Sequence, residues 1–403
     1  MLACLLILCL GSCRGYRLRQ LYTRSHLLPG VDTASVLPAR LQNGHWFVQT
    51  TIQGKSGWFL WDTGADMTVL DQTWAESLDL RRFAPWNVND AQRRSRALPF
   101  CEIDTLALAD RRFARVGAVL ADLTALELCD LELAGIVGQT VIQRANWRIR
   151  FSDTTLALRP RPFAPDSGAK AVRLSLRRLS PYLSLQLGAD SMACKLDYGS
   201  TGGIDLPLDE VSVRQLLGLF PARRYVGAGR GLYGWAEPDT GYLVWLDSIR
   251  LDTVGVAAVE LDITLPTTAK IGTQVLSRYD AWLDFEHNLL WLKPLPQPLP
   301  TPQPTFGIYL RWTEAGFRVQ ALADLRETAG AGLRPSQSVA TLQGRPASDF
   351  TSHCDFVAWR NALWESADTV RIGITPDSVA SLTRRLPPAR IYSPLQRLPA
   401  TDE

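Results

Sequence analysis

Two stretches of this chain repeat one another, and that repeat restricts the available folds more than any other feature. In the first, the apolar run Phe59-Leu60-Trp61 ends in Asp62-Thr63-Gly64-Ala65. Downstream, Gly135-Ile136-Val137-Gly138-Gln139-Thr140-Val141-Ile142 leads to Trp147-Arg148-Ile149-Arg150-Phe151 and Leu156-Ala157-Leu158. In the second, Leu196-Asp197-Tyr198-Gly199-Ser200 precedes Lys270-Ile271-Gly272-Thr273-Gln274-Val275-Leu276, then Ala281-Trp282-Leu283-Asp284-Phe285 and Leu289-Leu290-Trp291-Leu292. A duplicated pattern at matched spacing implies two related units, each offering one aspartate. Between these marks lie strand-like runs closed by short turns, such as Trp46-Phe47-Val48-Gln49-Thr50-Thr51-Ile52 followed by Gln53-Gly54 and Trp58-Phe59-Leu60, so the expected class is mainly β. Helical patterning before residue 320 is confined to short pieces at 74–80 and 209–217.

Prolines and glycines divide the chain. The run Arg159-Pro160-Arg161-Pro162 through Gly168 separates a first lobe at 25–160 from a second at 169–294. A Pro-rich stretch at 295–304 cannot pair in a sheet or continue a helix, and is expected as an extended linker. A small α+β unit at 305–375 and a loose tail at 376–403 complete the expected plan.

Two carboxylates brought together across the lobes cannot both ionise easily, because like charges a few ångström apart raise one pKa. They share a proton. The ionised member can take a proton from a water held between them while the neutral member donates to the carbonyl under attack, which gives peptide hydrolysis without a metal or a covalent intermediate. The glycine two places after each aspartate permits a tight turn and close approach of the two loops. Phe59-Leu60-Trp61-Asp62-Thr63-Gly64-Ala65-Asp66-Met67-Thr68-Val69-Leu70 resembles the active-site strand and turn of retropepsin-like aspartic proteases, and Gly135-Ile136-Val137-Gly138 the element threaded behind that turn. The resemblance implies an acid-protease fold of two lobes, a flap hairpin at residues 87–99, and catalytic roles for Asp62 and Asp197, with Thr63 orienting the pair. Gly64, Ala65, Gly199 and Ser200 complete the active-site turns. Asp66, Asp205 and Asp209 read as solvated turn or cap residues.

The second lobe departs from that pattern. Tyr198 stands where a small hydroxyl residue is expected, and Lys270 where an apolar residue is expected. These departures keep a second reading in play, in which a catalytically degenerate protease fold binds peptides or envelope proteins without cutting them. The chain is expected to be a monomer; pairing of Asp62 turns from two chains is the alternative.

Residues 306–374 resemble a PDZ domain: strands at 306–310 and 317–322, a short helix leading into Ala331-Gly332-Leu333, a helix at 355–365 and a last strand at 369–374. Ser336-Gln337 stands where Gly-Asp is usual. Such domains add an extended peptide to a sheet edge, which implies a peptide ligand here, or else a module that only packs on the second lobe.

Met1-Leu2-Ala3-Cys4-Leu5-Leu6-Ile7-Leu8-Cys9-Leu10 is too short for a membrane span and suits a signal-peptide core, so residues 1–13 are read as a targeting segment. Leu10-Gly11-Ser12-Cys13 resembles the bacterial lipobox, which implies lipid attachment at Cys13, export to the cell envelope and membrane contact through that anchor only. No Lys or Arg precedes the apolar run, so plain cleavage near Ser12 or Gly15 stays open. Past that segment, Cys101, Cys129, Cys194 and Cys354 remain, without CxxC or Cys/His spacing. A Cys101 to Cys129 disulfide and isolated buried thiols are both compatible with this. His26, His45, His287 and His353 form no ligand cluster, so neither metal nor cofactor is expected. With 43 basic against 40 acidic side chains, net charge +3, the chain lacks the basic field that a nucleic-acid partner needs.

Overall fold

In the computed structural model the described residues are 19–129, 131–187, 190–265, 267–298, 305–323, 328, 330–375 and 378–385. The targeting segment with Cys13, most of the Pro-rich stretch (299–304) and residues 386–403 lie outside them, as do 324–327 and 329 of the short helix expected near Thr328.

Strands β1 (His45–Ile52) and β2 (Lys55–Trp61) form the expected hairpin. Its turn places Gln53 and Gly54 at φ 51° and 81°, the two left-handed positions of a type I′ turn, and glycine takes the second without Cβ strain. Then follow β3 (Thr68–Asp71), β4 (Arg81–Asn89), β5 (Ser95–Leu108), β6 (Arg111–Ala121), β7 (Leu133–Val137) and the short helix α1 (Gln139–Ile142). They are ordered β6-β3-β7-β2-β1-β5-β4, and β5 also pairs with β6, so the sheet closes on itself. Strands β8 (Asn146–Arg150) and β9 (Thr155–Arg159) leave this barrel.

The second half repeats the plan with β10 (Ser180–Leu187), β11 (Asp190–Leu196), β12 (Ile204–Pro207), α2 (Val211–Leu219), β13 (Arg223–Gly227), β14 (Asp239–Leu251), β15 (Val254–Thr264), β16 (Lys270–Ile271) and α3 (Thr273–Leu276). The order β15-β12-β16-β11-β10-β14-β13, with β14 also paired to β15, is the first half's order strand for strand. Strands β17 (Tyr279–Asp284) and β18 (Leu289–Pro294) then meet β8 and β9, Trp147 opposite Leu283, in one sheet shared by both halves. Trp46, Trp61, Trp147, Leu196 and Tyr198, all fully buried, belong to one apolar cluster fed by both halves.

The third unit contains β19 (Ile308–Thr313), β20 (Gly316–Ala323), α4 (His353–Ser366), β21 (Thr369–Thr375) and β22 (Ser378–Thr383). The helix starts where Ser352 accepts a hydrogen bond from the Asp355 backbone N–H at 3.1 Å, an N-cap that satisfies an otherwise unpaired donor. Phe317, Phe350 and Phe356 meet edge-on or tilted in its core, with ring centroids 5.1–5.9 Å apart. The chain after Pro376, expected as a loose tail, instead supplies β22, which pairs with β21 and buries Ala380 and Leu382. Their apolar side chains alternate along the strand, and burial on one face outweighs the entropy of ordering a short segment. Strand β20 also pairs with β13, Val226 opposite Leu322, so the third unit extends the second half's sheet. No helix among the described residues is long and apolar enough to cross a membrane.

Cys129 pairs with Cys354, 225 residues away, and not with Cys101. Cys101 points from β5 into the closed barrel and is fully buried, whereas Cys129 sits on the loop after β6, facing α4. The bridge ties the first half to the third unit. Cys354→Ser is expected to lower unfolding free energy by about 2–4 kcal/mol, and reductant to impose the same loss on the parent chain but none on the variant. Urea unfolding with and without dithiothreitol measures both.

Candidate active site

Each half delivers its aspartate in the same way. β2 pairs in parallel with β7 and β11 with β16, so both strands end at the centre of the molecule. The Asp62 N–H donates to the Val137 carbonyl and the Asp197 N–H to the Ile271 carbonyl, each at 3.0 Å. Within the turns, Gly64 N–H (2.6 Å) and Ala65 N–H (3.2 Å) donate to Asp62 Oδ1, and Gly199 N–H (3.0 Å) donates to Asp197 Oδ1. The carboxyls of Asp62 and Asp197 meet where the two turns come together, each set against the glycine of the opposite turn. A Cβ on Gly64 would overlap the Asp197 carboxyl, and one on Gly199 the Asp62 carboxyl, which is why both positions lack a side chain. Burial, then the charge of Asp197, hold the Asp62 carboxyl well above the usual carboxylate range, against the Gly64 N–H.

The cross-connection behind the turns is one-sided. Thr63 Oγ1 donates to the Leu196 carbonyl at 2.8 Å and accepts from the Tyr198 N–H at 3.0 Å. Tyr198 sends its ring away, against Trp61 (5.3 Å) and Phe151 (6.3 Å), and its hydroxyl makes no hydrogen bond to a described residue. Ser200 contributes backbone here: its carbonyl accepts from Thr273 N–H at 2.8 Å, just as the Ala65 carbonyl accepts from Gln139 N–H at 2.9 Å.

Charged groups surround the pair. Lys195 Nζ donates to the Gly64 carbonyl (2.9 Å) and to Asp66 (2.8 Å), and Asp66 also accepts from Ser180 Oγ (2.5 Å). Lys270 Nζ lies 3.2 Å from Asp205 Oδ2 and 3.8 Å from Asp197 Oδ2. Beyond Asp205, Asp262 accepts from Tyr225 Oη at 2.6 Å, and burial with the Asp205 charge raises its carboxyl to about 7. Asp66 and Asp205, expected as solvated turn residues, are therefore ion-paired beside the site; Asp209 remains exposed and pairs with Arg93. Burial pushes His45 down to about 4, so this cleft residue is a neutral imidazole.

A cavity of about 950 Å³ opens above the pair. The β4–β5 hairpin roofs it, at the place expected for a flap. Its tip is latched to the second half: Arg94 donates to the Gly234 carbonyl (2.7 Å) and the Trp235 carbonyl (2.8 Å), and Tyr233 Oη to the Val88 carbonyl (2.6 Å). Asp90, with a fully buried side chain, holds Arg94 at 2.6 Å. Trp235 Nε1 continues to Glu127 at 2.9 Å, and Glu127 binds Arg311 of the third unit. A roof of this kind shields the carboxyls from bulk water.

All the singled-out turn residues, Asp62, Thr63, Gly64, Ala65, Asp197, Gly199 and Ser200, meet at this one place; Cys13 lies outside the described residues. Lys195, Asp66 and Asp205 were missed. The signal for Lys195 was a lone lysine in an apolar strand, where the first half carries Leu60. No curated protein matches the chain. Residues 48–141, from β1 through the Asp62 turn to the Gly138 element, match the family model for aspartyl proteases, and the match supports a protease of the retropepsin-like kind.

Proposed function

We propose that the chain is a two-lobed aspartic endopeptidase in which Asp62 and Asp197 share a proton around an attacking water. The carrying observation is the close approach of the two carboxyls, each packed against the glycine of the opposite turn. The ionised carboxylate takes a proton from water as its oxygen adds to the peptide carbonyl carbon, and the protonated carboxyl donates to the carbonyl oxygen. Collapse of the tetrahedral adduct returns a proton to the leaving nitrogen. Thr63 orients the pair through its bonds to Leu196 and Tyr198. One chain supplies both aspartates, in keeping with a monomer.

The third unit is read as a PDZ-like, peptide-binding module. In support, β19 pairs only with β20 among the described strands, which leaves one edge for an added strand beside α4. Gly307, Ile308, Tyr309 and Trp364 of this unit line the same cavity as the two aspartates. Export, with lipid attachment at Cys13, is part of the proposal; the Cys129–Cys354 disulfide favours an oxidising compartment. Tyr198 favours the second reading, a peptide-binding fold that does not cut, because it removes one cross-turn hydroxyl.

Incubating the chain from Gly15 with a diverse peptide pool between pH 3 and 8, with mass-spectrometric readout, tests the proposal. Cleavage products are the expected result; an unchanged pool with bound peptides recovered would favour the binding fold.

A further inference from the structure

Two aspartates in identical surroundings would hold a shared proton equally, and one of the differences between these surroundings places a cation beside Asp197. In the first half Ile136 precedes the residue whose carbonyl takes the Asp62 N–H, and it is apolar and buried. In the second half Lys270 precedes Ile271, whose carbonyl takes the Asp197 N–H. The Lys270 side chain is 12% exposed, its ammonium set between Asp205 and Asp197. Among the described residues, these charged groups face it. Asp205 comes from β12, paired in register with Lys270; Asp197 ends β11; Asp62 faces it across the pair; Asp262 and Glu260 stand on β15 behind Asp205; and Lys195 is its partner on β11. Lys195 is no substitute, because its own ammonium is held by Asp66 and the Gly64 carbonyl on the Asp62 side.

Resting on the aspartic-protease reading, we infer that Lys270 is a positioning residue: it holds Asp197 as the carboxylate that activates water and leaves the shared proton on Asp62, while Asp205 anchors the ammonium. Burial works against a charged Lys270, but Asp205 and Asp197 outweigh it and raise its pKa, so the cation persists. The raised Asp62 carboxyl agrees with a proton kept there. The consequence is a working range that extends further to the acid side. The ammonium 3.8 Å from Asp197 Oδ2 favours the carboxylate form, so removing it moves the acid limb of activity upward.

Lys270→Met tests this, with Lys270→Arg as the conservative control and Lys270→Met/Asp205→Asn as a second form that leaves no unpaired Asp205. In protein carrying ¹³C-labelled aspartate, with Asp197→Asn to assign the resonance, NMR titration should show Asp197 ionising about one pH unit or more higher in both Met-containing variants, and near the parent value in Lys270→Arg. The acid limb of kcat/KM should move by the same amount. An Asp197 titration that does not move, or Asp62 ionising before Asp197 in the parent, overturns the inference. A parent chain that cuts no peptide overturns the protease reading instead, and the NMR titration still decides the role of Lys270.

Discussion

Asp62→Asn should reduce peptide cleavage by about a thousandfold, the scale of a lost general acid or base, while the chain stays folded. The amide oxygen can still accept from the Gly64 and Ala65 N–H groups, which are what hold the turn, so the loss is chemical. Asp197→Asn should lose as much. If Asp197→Asn alone still cuts, the catalytic pair comes from two chains joining their Asp62 turns. The stability profile supplies a second readout. Asp62 has a carboxyl pKa above its unfolded value, so the folded state holds the proton more tightly and stability falls as pH rises from about 4 through the folded pKa. Asp62→Asn removes that titration, so the variant should gain on the parent between acidic and neutral pH. Thermal unfolding at a series of pH values would show the two curves separating upward in pH; parallel curves would mean that Asp62 titrates normally.

Tyr198→Thr, which restores the small hydroxyl usual in the resembling family, should destabilise the fold by about 3 kcal/mol. The ring is fully buried against Trp61 and Phe151, in the cluster that joins both halves, and threonine would leave its volume empty. Tyr198→Phe should be neutral or stabilising by about 1 kcal/mol, since it keeps the packing and removes a buried hydroxyl without a described partner. Urea midpoints at one pH compare the three chains. Equal stability of Tyr198→Thr and the parent would show that the aromatic cluster is not what joins the halves.

The duplicated Asp-x-Gly turns were readable because each is a local event. An apolar strand, a tight turn and a small-residue element at fixed spacing leave marks within a few residues, and the hairpin at Gln53-Gly54 does the same. The match at 48–141 covers the half in which those marks are least altered. Lys195 and Lys270 were visible as lysines in apolar strands, yet nothing local says which carboxylate each will reach.

What the residues settled in advance was therefore the mainly β character and the two turns that end apolar strands. The folded chain alone decided the rest: that Cys129 finds Cys354, that the Tyr198 ring turns into the aromatic cluster, that Arg94 latches the hairpin tip to Gly234 and Trp235, and that the segment after Pro376 adds an edge strand to a sheet. Each of these joins groups far apart in the chain. Such pairings depend on which faces the closed sheets bring opposite one another, and periodicity within one segment carries no record of that.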